Sequence, residues 1–416
     1  MSAGAIAAGI AVTGGAPDPA RPSNEWSLII AGATDGYLSP CGCTYPMTGG
    51  IRRRATAIKG AAASGHAVYI DTGGLAVVPG PQSQLKAETM AQSLAKMDAA
   101  AVALTGGDIR LGSSSLQAEL GLAKGRVVST TLSTSSLEGV VPTVERGPFL
   151  IGATTANTEA ILAVHGRSDV DAARFLVSEA ERAGKIPVLM LDAGHIDAVR
   201  VAKAVPSLAV IAYRQTGWPD NHLEKVGKVA LVTPGERGKA IIQLDFQGSA
   251  VATYRTMRLG PQYTDDPAIS RYFKTYLQRV DQANLLDALP RLPSDPFVGS
   301  AACGKCHAGA EKVWQHSGHF HAYETLEKQG QARDPDCVTC HVVGVDRVGG
   351  FQSRLLTPQL SSVGCESCHG AGAGHSASPK TIHFKKVVNA TCVSCHSAEQ
   401  SPGFDFVKYW QKIAHK

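Results

Sequence analysis

Cys303-Gly-Lys-Cys306-His307, Cys337-Val-Thr-Cys340-His341, Cys365-Glu-Ser-Cys368-His369 and Cys392-Val-Ser-Cys395-His396 repeat one five-residue pattern four times toward the end of the chain. Two thiols three positions apart, followed at once by an imidazole, form the attachment pattern of a c-type haem. The thiols add to the two vinyl groups of one porphyrin, and the histidine lies under the ring as the proximal iron ligand. The four copies use all eight cysteines of Ala301–Lys416, and each keeps its histidine. Zinc would take such pairs two at a time and would not require a histidine after each. A redox disulfide within each pair would leave the histidine idle as well. The pattern therefore predicts four covalently bound haem c groups. Cys303, Cys306, Cys337, Cys340, Cys365, Cys368, Cys392 and Cys395 supply the thioethers, and His307, His341, His369 and His396 the proximal iron ligands.

Four macrocycles here leave roughly 30 residues for each, too few for an ordinary side-chain core. The porphyrins are expected to be the core and to lie close together, as an electron wire requires. Six further histidines remain in the region: His316, His319, His321, His375, His383 and His415. The pattern from Trp314 to Glu327 predicts a helix, on which positions two apart point to nearly opposite faces. On that helix His319 and His321 would serve two different haems, with His316 sharing the face of His319 as a spare.

The stretch Cys303–His375 resembles the tetrahaem cytochrome c-554 family, electron acceptors that work beside hydroxylamine oxidoreductase in ammonia oxidisers. The resemblance rests on Trp314, Ser317-Gly-His319, Tyr323-Glu-Thr-Leu326, Asp334-Pro-Asp-Cys-Val-Thr-Cys-His341-Val-Val-Gly344, Gly349-Gly-Phe351 and Val363-Gly-Cys-Glu-Ser-Cys-His-Gly370. It implies distal ligands at His319 and His375. Related modules with a His319-x-His321 pattern and a terminal Phe404-Asp-Phe, Tyr409-Trp and His415 imply His321 and His415 for the other two sites, with His383 as the alternative. The c-554 type keeps one haem five-coordinate, so the fourth distal position stays open.

The rest of the chain has a different texture. The 416 residues are 44% hydrophobic and 18% charged, with a formal charge of +5 and 6% aromatic residues. A balance that mild, with so few aromatics, argues against a nucleic-acid partner. No stretch approaches the roughly 20 apolar residues of a membrane span. Residues 1–25 read as a lead-in; the apolar run Ala5–Val12 lacks the basic residues that open a secretory signal, and signal and plain terminus both stay open.

From Trp26, short apolar runs alternate with helical patterns. Strands are predicted at 27–32, 67–71, 101–104, 127–131, 149–154, 187–191 and 208–212, and helices at 51–64, 84–97 and 169–183. That alternation predicts an α/β domain over 26–262 with a largely parallel sheet. The runs 228–233, 240–244 and 250–256 suggest an antiparallel closing section. A polar helix from about 265 to 289 and the prolines Pro290, Pro293 and Pro296 make 263–298 a helix and linker. Residues 299–416 then form a mainly α and irregular tetrahaem domain.

Cys41-Gly-Cys43, Pro46, Gly49-Gly50, Arg52-Arg53-Arg54 and Asp71-Thr-Gly-Gly74 resemble the calcineurin-like metallophosphoesterases of the periplasmic 5′-nucleotidase type. That family holds two metals with Asp-x-His, Gly-Asp, Asn-His and Gly-His motifs. This sequence has Ala33-Thr-Asp35-Gly36, Gly73-Gly74, Thr105-Gly-Gly-Asp108 and Tyr213-Arg-Gln-Thr216 in their places. The resemblance implies the sandwich fold in degenerate form, without its catalysis, and no catalytic residue is assigned. Arg52–Arg54 read as a solvated helix face, and His195, beside Asp192 and Asp197, as a faint metal candidate. Cys41 and Cys43 are too close for an unstrained mutual disulfide.

The sequence thus predicts an extracytoplasmic electron carrier, because covalent haem is attached after export. It would work with redox proteins, either other cytochromes or a membrane quinol-linked complex, and as a homo-oligomer or part of a larger redox complex. The alternatives are a reductase or oxidase of a small nitrogen or sulfur species at one five-coordinate haem, or a subunit of a cytochrome filament. Ala301–Lys416 carries 12 Lys and Arg against 9 Asp and Glu. Eight ionised propionates would bring the domain to about −5, which favours a positively charged docking partner.

Overall fold

The computed structural model describes residues 25–41, 47–63, 65–76, 78–112, 116–117, 120–121, 125–132, 137–384, 386–397, 400–401 and 403–415. The lead-in before Glu25, the thiols of Cys41 and Cys43, and Lys416 lie outside the described parts.

Two sheets face each other. The first runs, in spatial order, Ala250–Arg258, Ala240–Gln247, Glu25–Ala31, His66–Asp71, Ala101–Ala103, Val127–Val128 and Val140–Val141. Its strands are parallel from Glu25–Ala31 onward, and Ala240–Gln247 is antiparallel to both of its neighbours. The second sheet runs Glu224–Val226, Val229–Val232, Val210–Tyr213, Ile186–Leu191, Phe149–Ala153 and Thr143–Arg146. Alternate residues of the central strands, among them Leu28, Ile30, Val68 and Ile70 on one side and Ile151, Val188, Met190 and Val210 on the other, fill one core between the sheets. The opposite faces are covered by helices: Ile51–Ala62, Pro81–Lys96 and Pro267–Gln282 over the first sheet, Asp169–Ala183 and His195–Ala204 over the second. Parallel strands buried on both faces read as continuous apolar runs, which is why this domain is legible in the sequence.

Helix ends follow local chemistry. The Ser168 side chain accepts the Asp171 N–H at the start of Asp169–Ala183, and Gly184 closes it at φ 64°, a left-handed position that suits glycine.

Three expectations are corrected. Val229–Val232 does not join the antiparallel closure; it lies in the second sheet, parallel to Val210–Tyr213. It pairs antiparallel with Glu224–Val226 on its other side, and all four of its residues are buried, as an interior strand covered on both faces demands. The helix expected over 265–289 ends at Gln282 and packs Ile269, Phe273, Tyr276 and Val280 into the core beside the first sheet. The helix expected from Trp314 to Glu327 is two helices, Ala308–Gln315 and Ala322–Gln329. Ser317-Gly318 breaks it, and Ser317 Oγ donates to the Trp314 carbonyl 2.7 Å away.

Beyond Pro296 the elements are short helices and turns. Side chains do form one apolar cluster there, with Tyr323, Leu326, Val338, Val342, Val343, Val345, Phe351 and Leu360 joined by Leu286. The expectation that porphyrins alone make the core therefore fails for 323–360. It is different past that point: Ala373–Ala377, Asn389–Val393 and Phe406–Ile413 bury none of their residues.

Candidate functional site

The four Cys-x-x-Cys-His segments converge. The thiol of Cys303 is hydrogen-bonded to Cys365, and that of Cys340 to Cys395. Cys368 lies within electrostatic reach of Cys392 and Cys395. Sharing a proton with its neighbour pulls Cys365 down to about 6, and likewise Cys395. Burial pushes Cys368 up to about 11. None of these eight cysteines is in a disulfide.

The histidines form pairs. His307 faces His375 with ring centroids 6.2 Å apart, His396 faces His319 at 6.2 Å, and His369 faces His415 at 5.9 Å. A metal-bound imidazole nitrogen lies about 2 Å from the ion and about 1 Å from its own ring centre, so two rings on opposite sides of one ion stand about 6 Å apart. Nδ1 is anchored on His341 and on some of the paired rings. That of His341 donates to the Ala322 carbonyl (2.7 Å), that of His375 to Ile382 (2.6 Å) and that of His415 to Ile413 (2.9 Å). A donating Nδ1 fixes the ring and leaves Nε2 as the metal-binding atom. Burial, and then neighbouring imidazoles, lower the basicity of His319 and His369, and burial alone that of His396. Lowered basicity favours the neutral imidazole that binds a metal. The donor set and its spacing fit haem c.

His341 differs from the other motif histidines, since among the described residues no histidine ring stands across from it. His321, the remaining distal candidate, is exposed, with Nδ1 3.1 Å from Glu324 and its ring against Phe320. His316 donates to the Lys312 carbonyl, and both it and His383 are exposed. Which histidine opposes which was not readable from spacing, because the turn at 316–321 sets the direction of His319.

A second feature lies in the sandwich domain, where strand ends meet a cavity of about 350 Å³ lined by Gly74, Thr105, Gly106, Arg110, Asp192 and Arg214 among others. The carboxylates near it are bonded by donors of the chain. Asp71 accepts from Arg54 (2.9 Å), Tyr69 (2.8 Å) and the Gly73 N–H (3.0 Å). Asp108 accepts from Thr105 and from the Gly74 and Leu75 N–H groups. Asp192 accepts from the Gly106 and Ala156 N–H groups, and Asp35 from Arg214. Burial raises Asp35, Asp108 and Asp192 above the ordinary carboxylate range.

A Cβ at Gly74 would lie 2.5 Å from Arg214 Nη1, so the guanidinium occupies the room a side chain at 74 would take. Arg54, read from sequence as a solvated residue, is 1% exposed. It lies on the inner face of its helix, and the buried carboxylate of Asp71 holds it there. His195 pairs with Glu224 (2.9 Å) rather than with Asp192. Among the described residues no three His, Cys, Asp or Glu side chains converge where one ion could sit. No described helix is long and apolar enough to cross a membrane.

Comparison with known proteins separates the two regions. Residues 302–370 match the family described as cytochrome c554 and c-prime. Cytochrome c-554 of Nitrosomonas europaea is 38% identical over 92 residues, covering 18% of this chain and 39% of that one. The chain thus spans about two fifths of the length of the curated relative it matches. Among solved structures, the sulfate thiohydrolase SoxB of Thermus thermophilus has a TM-score of 0.53 at 15% identity, covering 62% of this chain and 61% of that one. A 5′-nucleotidase precursor of the same organism has a TM-score of 0.54 at 17% identity, covering 74% of this chain and 68% of that one. The chain therefore joins a C-terminal region similar to cytochrome c-554, whose family carries covalently bound haem c, to an N-terminal α/β sandwich with the fold of the calcineurin-like 5′-nucleotidase and SoxB phosphoesterases.

Proposed function

We propose that this protein is an extracytoplasmic tetrahaem c-type cytochrome that relays electrons between redox proteins, with the phosphoesterase-like domain catalytically silent. The observation that carries the reading is the pairing of three proximal histidines with His375, His415 and His319, each at close to the spacing of two imidazoles on one metal. Haem bound at these sites supplies one-electron transfer. The chain's own residues set the sequence of sites. Cys303 adjoins Cys365, Cys368 adjoins Cys392 and Cys395, and Cys395 adjoins Cys340. The attachment order in space is then first, third, fourth, second, so electrons enter or leave nearest the first and second motifs. Candidate partners are other cytochromes or a membrane quinol-linked complex, in a homo-oligomer or larger redox assembly.

Silence of the sandwich domain follows from its carboxylates. A two-metal hydrolase needs ligands free to clamp two ions roughly 3.5–4 Å apart. Here Arg54 and Arg214 hold two of the carboxylates, and backbone N–H groups hold the others.

A second reading, reduction or oxidation of a small nitrogen or sulfur species, is favoured by one observation: His341 has no opposed ring among the described residues. Electron paramagnetic resonance of the oxidised protein, with carbon monoxide added to the reduced form, tests both readings. The carrier reading predicts only low-spin iron, indifferent to carbon monoxide. If the iron at His341 is high-spin and binds the gas, the second reading gains support. If the centres at His307, His369 and His396 bind it too, the ligand pairing is refuted.

A further inference from the structure

The sandwich domain is not a free appendage: its polar side chains reach one attachment segment, the stretch leading into Cys337. Gln331 Nε2 donates to Ser39 Oγ (3.0 Å). Arg333 spans Asp281 (2.9 Å) and Asp287 (2.7 Å). Lys86 pairs with Asp336. At the centre is Asp334, 6% exposed. Its Oδ1 accepts from Gln82 Nε2 (2.7 Å) and from the Asp336 N–H (3.1 Å), and its Oδ2 from the Tyr276 hydroxyl (3.2 Å). Gln82 also donates to Tyr276 (3.0 Å), so one helix over the first sheet, a second helix beside it and the attachment segment share a single network. The Asp334 carbonyl accepts the N–H groups of Cys337 and Val338, both at 3.0 Å. The carboxylate thus caps the short helix Pro335–Val338 that carries the first thiol of the second motif.

We propose that Asp334 is a positioning residue through which the sandwich domain fixes the Cys337–His341 attachment segment and biases the potential of the haem held there. The proposal rests on the tetrahaem reading and deepens it by giving the silent domain a task. A buried carboxylate acts in a low dielectric, where its charge is felt over longer distances than in water. The groups facing it are Lys86 and Gln82 from one helix, Tyr276 from the other, and Asp336 from its own segment. Burial, and then Asp336, push Asp334 up to about 6. Its charge therefore appears as pH rises through that value, and a negative charge disfavours the reduced state beside it. The potential of this one haem should fall between pH 5 and pH 7.

The test is a spectroelectrochemical titration of the full-length holoprotein at pH 5 and pH 7. The haem in question is identified as the one absent from Cys337→Ala/Cys340→Ala. In Asp334→Asn its potential should rise at pH 7 and lose most of its pH dependence, while the other three hold. Gln82→Ala and Tyr276→Phe, which leave the segment itself intact, should move the pH break of the same haem upward by removing donors to the carboxylate. Amide hydrogen exchange at Cys337 and Val338 should also quicken in Gln82→Ala, a readout independent of electron transfer. Fewer than four haem waves in the unaltered protein would defeat the tetrahaem reading. Four waves, with this haem unmoved in Gln82→Ala and Tyr276→Phe or all four shifted together, would overturn the role of Asp334 alone.

Discussion

Cys365→Ala combined with Cys368→Ala should remove one haem and release the chain from about 373 to 415 as a unit. His369 meets His415 at 5.9 Å and Phe384 at 5.6 Å, and Phe384 in turn packs on His375 at 4.8 Å. The helices Ala373–Ala377, Asn389–Val393 and Phe406–Ile413 bury no side chain of their own. Ile382, Val388, Val393 and Val407 are exposed large apolar residues. A segment with so few buried contacts opens for little free energy, so proteolysis within it should quicken about tenfold or more. The cluster around Val338, Val343 and Phe351 has its own core and should stay protected. Limited proteolysis read by mass spectrometry distinguishes the two regions. A variant that lacks the third haem yet keeps 373–415 as resistant as before would show that side chains, not macrocycles, hold the end of the domain.

Arg54→Met should cost the sandwich domain more than any surface change. Arg54 Nη1 and Asp71 Oδ2 are 2.9 Å apart at 1% and 0% side-chain exposure, and Arg54 Nη2 also donates to Thr34 (2.6 Å). Removing one partner of a buried ion pair leaves the other charge uncompensated, a loss of roughly 3–5 kcal/mol. For a domain of this size that is a fall in melting temperature of roughly 6–20 °C. Arg54→Met with Asp71→Leu should recover much of the loss, since paired apolar replacements of buried ions are often neutral. Thermal unfolding of the full chain reads both. A single-variant loss under about 1 kcal/mol would mean that the pair is hydrated and that Asp71 is available to a metal after all.

Much of this was legible in the sequence, for reasons that differ by element. Strands such as Ile186–Leu191 are buried on both faces, so their apolar runs stand out against flanking turns. The Cys-x-x-Cys-His motifs are legible because their chemistry is local: both thiols and the imidazole must lie within five residues. Long-range partners were hidden. Arg54 looked solvated because Asp71, which holds it inside, is on a separate element, the strand His66–Asp71, and is recognised only through the fold. Val229–Val232 carried an apolar run but no mark of which sheet would take it. The pair His319–His396 depends on a turn, Ser317-Gly318, that interrupts an otherwise helical pattern and redirects His319. The contacts that tie Asp334 to Gln82 and Tyr276 leave no sequence signal, since they join polar residues about 250 and 60 positions apart through tertiary packing alone.

Intact mass spectrometry of the exported protein under denaturing conditions tests the central claim most directly, because thioether-bound haem survives unfolding. The account predicts one species, the polypeptide plus four haems, with none of the eight motif thiols open to alkylation. A mass with fewer haems and a matching pair of free thiols, or a haem-free chain with all eight motif thiols open to alkylation, would contradict it.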